Sequence, residues 1–236
     1  KTEMQRAEAI QTVKDSIVAA MGLRPFRVGI DGVDCAGKTA LANELAAALR
    51  EDGTVVIRAS IDDFHQPRAI RYRQGRGSPL GYYEDSFDVT AVCANLLVPL
   101  GAAGDGWYRT AVFDHHTDQP LDSTWQRAPD SCVLLFDGIF LHRPELLPHL
   151  DFTLFVAADF AVTIARAFER DRPLFQSVEA VKQMYELRYI PGQQLYFAAC
   201  RPLEKANMIF HNNNLQNPVV ILQNQCESTS GKQEFE

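Results

Sequence analysis

No apolar run in this chain approaches the roughly 18 consecutive residues that a bilayer-spanning helix needs, so no membrane partner is expected. The first residues are polar and charged, which predicts no secretory leader in the sequence shown. A basic excess is also missing. The 23 Lys and Arg face 30 Asp and Glu, for a net charge of −7. Phosphate neutralisation needs a basic face, so no nucleic-acid partner is expected. Cysteine is scarce: Cys35, Cys93, Cys132, Cys200 and Cys226 are odd in number, widely spaced and never in a CxxC pair. That pattern argues against a zinc ribbon and a disulfide framework, and for a reducing, cytoplasmic setting. No internal repeat is visible.

What is present fits a globular domain. The 236 residues are 46% hydrophobic and 22% charged, enough to bury a full core without covalent staples. Residues 2–21 predict a helix, because Met4, Ala7, Ile10, Val13, Ile17 and Met21 recur at helical spacing. A buried strand is predicted over Phe26–Ile30, a helix over Gly37–Arg50 and a strand over Thr54–Ile61. Strand, helix and strand in so short a stretch form a βαβ unit with parallel pairing. Residues 62–84, rich in Arg and Gly, predict a long ordered loop or lid. Further helices are expected over Asp88–Leu100, from a cap at Asp159 to Arg170, and over Val178–Tyr189. Further strands are expected over Tyr108–Phe113, Cys132–Phe136, Phe152–Ala157, Met208–His211 and Val219–Leu222. This gives a single domain over 1–222, with a substrate-binding and lid insertion at about 62–128 and a flexible polar tail over 223–236.

One segment carries most of the functional signal. Gly32-Val33-Asp34-Cys35-Ala36-Gly37-Lys38-Thr39 satisfies G-x-x-x-x-G-K-[ST], directly after a predicted strand and opening a predicted helix. Its glycines let the backbone wrap a phosphate, and the helix N-terminus adds partial positive charge. Gly32, Asp34, Cys35, Ala36, Gly37, Lys38, Thr39 and Ala40 are therefore expected to hold a nucleotide, Lys38 to neutralise the β- and γ-phosphates, and Thr39 to meet Mg²⁺. A phosphate loop does not specify a reaction. A switch GTPase would need Asn-Lys-x-Asp, which is absent, and a DxxG, for which Asp137-Gly138-Ile139-Phe140 lacks the second glycine. A motor ATPase usually needs a longer chain. A small-molecule kinase fits best.

Asp62 and Asp63 end the second predicted strand, at the sheet edge where open parallel sheets bind ligands. A carboxylate there can take the proton of an attacking hydroxyl. Asp137 ends the third strand and suits Mg²⁺. Arg166 and Arg170 share a helix face, and with Arg172 suit a lid over the triphosphate. The arginines at 68–76 suit either an anionic substrate group or a solvated loop.

With these residues in view, the chain resembles the uridine kinase and phosphoribulokinase family of P-loop kinases from about Phe26 to about Val220. The likeness rests on the phosphate loop, Asp62-Asp63-Phe64, Tyr83-Glu84-Asp85-Ser86-Phe87-Asp88, Phe136-Asp137-Gly138 and Arg166-x-x-x-Arg170-Asp171. The resemblance implies a three-layer α/β/α P-loop fold with a mostly parallel sheet and a lid, and ATP with Mg²⁺ as donor. It implies transfer to a hydroxyl of a ribose-containing metabolite, a nucleoside above all. By position, Asp62 matches the base, Asp85 a ribose ligand, and Arg166 and Arg170 the lid arginines, with Lys38, Asp62 and Arg170 catalytic. Tyr83, Asp63, Asp114 and His116 would line the acceptor, and Asp118 stands where the family reads the base. Departures are Asp137-Gly138 for Glu-Gly and Pro173-Leu174-Phe175-Gln176 in the lid. Nicotinamide riboside, pantothenate and sugar-phosphate kinases are alternative readings. A non-catalytic nucleotide-binding module is another, and self-association is left open.

Overall fold

The apolar run from Phe26 becomes the middle of the sheet, buried at every position, as a strand flanked on both sides and covered on both faces must be. The computed structural model describes residues 3–22, 24–171 and 177–223. The first half of the chain gives α1 (Arg6–Ala20), β1 (Phe26–Gly32), α2 (Lys38–Glu51) and β2 (Val56–Ser60). A 3₁₀ turn at Ile61–Phe64 then leads to α3 (Arg68–Arg71), α4 (Pro79–Asp85) and α5 (Val89–Val92), which runs into a π turn at Cys93–Leu97. Four two-residue strands follow: β3 (Trp107–Tyr108), β4 (Phe113–Asp114), β5 (Gln119–Pro120) and β6 (Gln126–Arg127). The second half gives β7 (Val133–Asp137), β8 (Phe152–Ala157), α6 (Phe160–Asp171) and α7 (Val178–Met184). A π turn at Tyr185–Tyr189 precedes α8 (Ile190–Cys200), α9 (Pro202–Lys205), β9 (Met208–His211) and β10 (Val219–Leu222).

The main sheet runs β10-β9-β8-β1-β7-β2. All its pairings are parallel except β10 on β9, the expected α/β architecture. Consecutive parallel strands need crossovers, and helices supply them. α2 packs on β1, β2 and β7, and α1 packs on α2 and β10. On the other side of the sheet, Arg27 of β1 donates to Leu97 O and Asp31 of β1 meets Tyr196 of α8. One large apolar cluster spans these layers.

The register brings the strand ends together. Ile30 of β1 and Ser60 of β2 both pair with Asp137 of β7. The phosphate loop, the turn after β2 and the end of β7 therefore open on one sheet edge. Among the described residues, no helix is long and apolar enough to cross a membrane.

Five expectations need correction. Residues 62–84 are not a long loop but short helices joined by turns. Arg188, buried, ties that segment down by donating to Arg76 O at 2.8 Å. The strand expected over Tyr108–Phe113 is divided between two antiparallel ribbons, β3 with β6 and β4 with β5. The helix expected to stop at Tyr189 passes through a π turn into α8, because Pro191 falls in the first turn of α8, where its missing N–H costs nothing. Asp159 immediately precedes α6, yet its carboxylate accepts from Asn213 Nδ2 at 2.9 Å, while its backbone carbonyl accepts from Val162 and Thr163. The tail from 224, Arg172 and the 173–176 segment lie outside the described residues. Gln223, expected to open the tail, is bonded to Asn207 O and Leu203 O.

Candidate active site

The loop after β1 turns back on itself through positive backbone angles. Gly32 has φ +152°, and a Cβ there would lie 2.3 Å from Val156 O. Gly37 has φ +93°, and its Cβ would meet Asn212 Nδ2 at 2.8 Å. Only glycine satisfies both the angle and the crowding. Cys35 also takes a left-handed conformation, φ +55°. Asn212, fully buried, fastens the loop by donating to Ala36 O at 2.6 Å. Lys38 Nζ donates to Val33 O at 2.8 Å, so the loop holds its cation across its own mouth. With the first turn of α2, this is a cradle for an anionic oxygen cluster.

A cleft of about 280 Å³ opens over the cradle. It is lined by Asp34, Cys35, Gly37, Lys38, Thr39 and Ala40 of the loop and the start of α2, by Asp62 and Asp137, and by Arg166 and Arg170. Of the residues expected to hold the donor, all line this cleft except Gly32 and Ala36, which are buried, and Arg172, which lies outside the described residues. Thr39 Oγ1 donates to Asp137 Oδ2 at 2.6 Å, and Arg58 Nη2 donates to Asp137 Oδ1 at 2.7 Å. A hydroxyl beside a carboxylate at the mouth of a phosphate cradle is a hard-oxygen donor pair that suits Mg²⁺. Arg166 donates to Asn212 O and Asn213 O, and burial lowers its pKa. Arg170 Nη2 donates to Tyr185 Oη at 3.2 Å. A shallow groove formed by α6 and the 213–216 turn shares Arg166 with the cleft.

The expected acceptor residues are arranged differently. None of Asp63, Tyr83, Asp85, Asp114, His116 and Asp118 lines the cleft. Asp85 is buried. Arg73 binds it through Nε at 3.0 Å and through Nη2, and Gln74 Nε2 donates at 2.8 Å. Burial alone would raise its pKa, but those bonds hold the carboxyl below the usual range. Asp118 accepts from Arg68 N at 2.9 Å and Arg71 Nη2 at 3.2 Å, which docks the β4–β5 hairpin on α3. Asp114 closes that hairpin by accepting from His116 N and Thr117 Oγ1. Tyr83 Oη faces Cys200 Sγ at 3.3 Å. Of the 68–76 arginines, Arg71 and Arg73 pair with aspartates of the insertion and Arg76 lies over the Tyr72 ring.

Beside Asp62 stands a row of imidazoles. His65 lies 4.7 Å from His115, which lies 4.0 Å from His116. His65 Nδ1 bonds to Asp62 O at 2.8 Å. Burial pulls the His65 pKa down to about 4, against the opposing charge of Asp62. His115 is lowered too, by burial and then by His116. Asp63 is raised, by burial and then by the charges of Asp62, Asp137 and Asp114.

Several supporting residues were not legible as such. Asp31 is fully buried under the loop. Its Oδ1 accepts from Gly32 N at 2.7 Å, and its Oδ2 accepts from His142 N, from His142 Nδ1 at 2.6 Å and from Tyr196 Oη. Tyr82 and Gln193 hold Asp34. Asp31 and Arg58 had one available signal, a charge inside an otherwise apolar strand. The others depend on pairings more than 45 positions apart.

The chain matches the model of the phosphoribulokinase/uridine kinase family over residues 28–216. It is 26% identical to a uridine kinase of Leuconostoc citreum over 152 residues, covering 64% of this chain and 70% of that one. It is 29% identical to uridine-cytidine kinase B of Dictyostelium discoideum over 164 residues, covering 69% and 65%. A structure described as a possible uridine kinase from Bacillus stearothermophilus superposes with a TM-score of 0.67 at 25% identity, covering 86% of this chain and 97% of that chain. The D-glycerate 3-kinase of Cryptococcus neoformans superposes at 0.64 with 10% identity, covering 91% and 99%, a likeness of fold alone.

Proposed function

The chain belongs to the phosphoribulokinase/uridine kinase family, and on that footing we propose that it transfers the γ-phosphoryl group of ATP to a hydroxyl of a small, ribose-containing metabolite. The observation that carries this reading is the convergence of Lys38, Thr39, Asp137, Asp62, Arg166 and Arg170 on one cleft at the sheet edge.

Each group has work suited to its chemistry. Lys38 leaves Val33 O and neutralises the donor's terminal phosphates. Thr39 and Asp137 would hold the Mg²⁺ that accompanies ATP and screens its charge. Arg58 keeps the Asp137 carboxylate turned to Thr39. Asp62, exposed in the 3₁₀ turn after β2, orients the acceptor hydroxyl and takes its proton as the oxygen attacks. Arg170 meets the charge that spreads over the equatorial oxygens during transfer. The adenine base takes the groove between α6 and the 213–216 turn, whose walls include Ala161, Val162 and Leu215.

The relatives' names make a nucleoside the first acceptor class to test. ADP release is measured with ATP and Mg²⁺ across uridine, cytidine, nicotinamide riboside, pantothenate and pentose phosphates, with Lys38→Ala as the blank. Stimulation by one compound, lost in the blank, is the expected result. Nucleotide binding without stimulation by any of them would favour a non-catalytic nucleotide-binding module.

A further inference from the structure

The phosphate loop contains an acid. An aspartate so close to the donor's phosphates repels them unless it serves something else, and the geometry shows how Asp34 is disposed. Its backbone N–H, which in a phosphate cradle would point at the anion, instead donates to Gln193 Oε1 of α8 at 2.9 Å. Its carboxylate accepts from Tyr82 Oη through Oδ2 at 2.6 Å. Tyr82 belongs to α4, in the insertion between β2 and β7, and is buried between the rings of Phe140 and Tyr189. Burial and the adjacent Asp34 charge raise its pKa well above 10, so the phenol stays a donor. The amide and Oδ2 of Asp34 are therefore engaged by α8 and α4 rather than left open to a phosphate. Yet Asp34 lines the same cleft as Asp62, and Oδ1 is the carboxylate oxygen left to accept from a ligand.

The carboxylate expected to grip acceptor hydroxyls, Asp85, is already saturated by Arg73 and Gln74. Asp118 is occupied by Arg71 and the Arg68 amide. Among the aspartates of this region, Asp34, Asp62 and Asp137 line the cleft, and Asp137 is taken on both oxygens by Thr39 and Arg58.

We propose that Asp34 is an acceptor-binding residue within the phosphate loop, taking a hydrogen bond from a hydroxyl or amino group of the acceptor other than the one phosphorylated. The assignment deepens the kinase reading and rests on it. It names the acceptor's chemistry as a small molecule with at least two donor groups, a diol or amino alcohol. Tyr82 is the positioning residue: it fixes the carboxylate, and it links the insertion to the donor loop.

The test pairs Asp34→Asn with Tyr82→Phe, both close to isosteric. For the compound that stimulates ADP release, Asp34→Asn should raise the acceptor KM by roughly ten- to a hundredfold, the range for a lost hydrogen bond to a charged group. Tyr82→Phe should reproduce part of that rise. The calorimetric Kd for MgADP should stay the same or tighten in Asp34→Asn, because a negative charge leaves the phosphate site. An unchanged acceptor KM, or an MgADP affinity that weakens as much as the acceptor's, would overturn the assignment. If no acceptor stimulates ADP release, the kinase reading fails separately, and the calorimetry still decides: weaker MgADP binding in Asp34→Asn means the carboxylate serves the nucleotide, and tighter binding means it does not.

Discussion

Replacing Asp31 by Asn perturbs the buried support of the phosphate loop without changing its volume, so no cavity contributes. The side chain is fully buried and receives hydrogen bonds on both oxygens. An amide can offer one oxygen only. Pointing that oxygen at Gly32 would set an NH₂ against three donors, from His142 N, His142 Nδ1 and Tyr196 Oη. The cheaper orientation keeps those three and sets the NH₂ against the Gly32 N–H. Losing that bond to a charged acceptor costs about 1.5–3 kcal/mol. The three surviving bonds also lose their charge assistance, which makes such bonds roughly twice as strong as neutral ones. Together these give a loss of about 3–5 kcal/mol, comparable with breaking a buried polar pair. In a chain of this size that corresponds to a fall of roughly 6–20 °C in Tm. Urea denaturation and differential scanning calorimetry measure it. MgADP affinity should fall as well, because the amide that starts the loop has lost its acceptor. Tyr196→Phe removes one donor and should cost only about 1 kcal/mol. A loss below about 1 kcal/mol in Asp31→Asn, with MgADP affinity unchanged, would refute the view that this carboxylate holds the loop.

Asp62→Asn should lower kcat by roughly 10²–10⁴ while leaving the Kd for MgADP unchanged, the signature of a lost general base; stopped-flow or steady-state kinetics with the identified acceptor, alongside calorimetry, separate the two effects. Arg170→Ala should reduce kcat more than it raises the KM for ATP, since its proposed role is to meet charge that develops during transfer; a rise in KM alone would make it a ground-state phosphate contact. His65 has a folded pKa of about 4 against an ordinary 6.5, so the unfolded chain binds the proton more readily. The stability His65 contributes is complete above about pH 6.5 and is lost as pH falls towards 4. The loss between pH 7 and pH 5 should be roughly 1–2 kcal/mol, and His65→Phe, packed on Phe87, should remove that part of the slope in urea melts.

The phosphate loop, the βαβ unit and the strand-end carboxylates were legible because each depends on neighbours in sequence. A strand needs a local apolar run, a helix a local period, and a phosphate cradle glycines at set spacing. These positioned Lys38, Thr39, Asp62 and Asp137 correctly at one sheet edge, since parallel strands joined by crossovers leave their C-terminal ends together. The insertion was less legible. Its composition suggested a long ordered loop or lid, and its short helices are held by Arg188 and Tyr82, whose partners lie far along the chain. Nothing local to Asp85 or Asp118 indicated that Arg73 and Arg71 would occupy them. The buried group around Asp31 joins β1, the turn after β7 and α8, and Asp34 takes its orientation from α4 and α8. By itself, then, the sequence determined that an α/β domain with a phosphate-loop motif forms and which of its residues gather at one sheet edge. Which carboxylates remain available to an acceptor was decided only by tertiary structure, because the availability of a charged oxygen depends on which distant donors folding brings within hydrogen-bond reach.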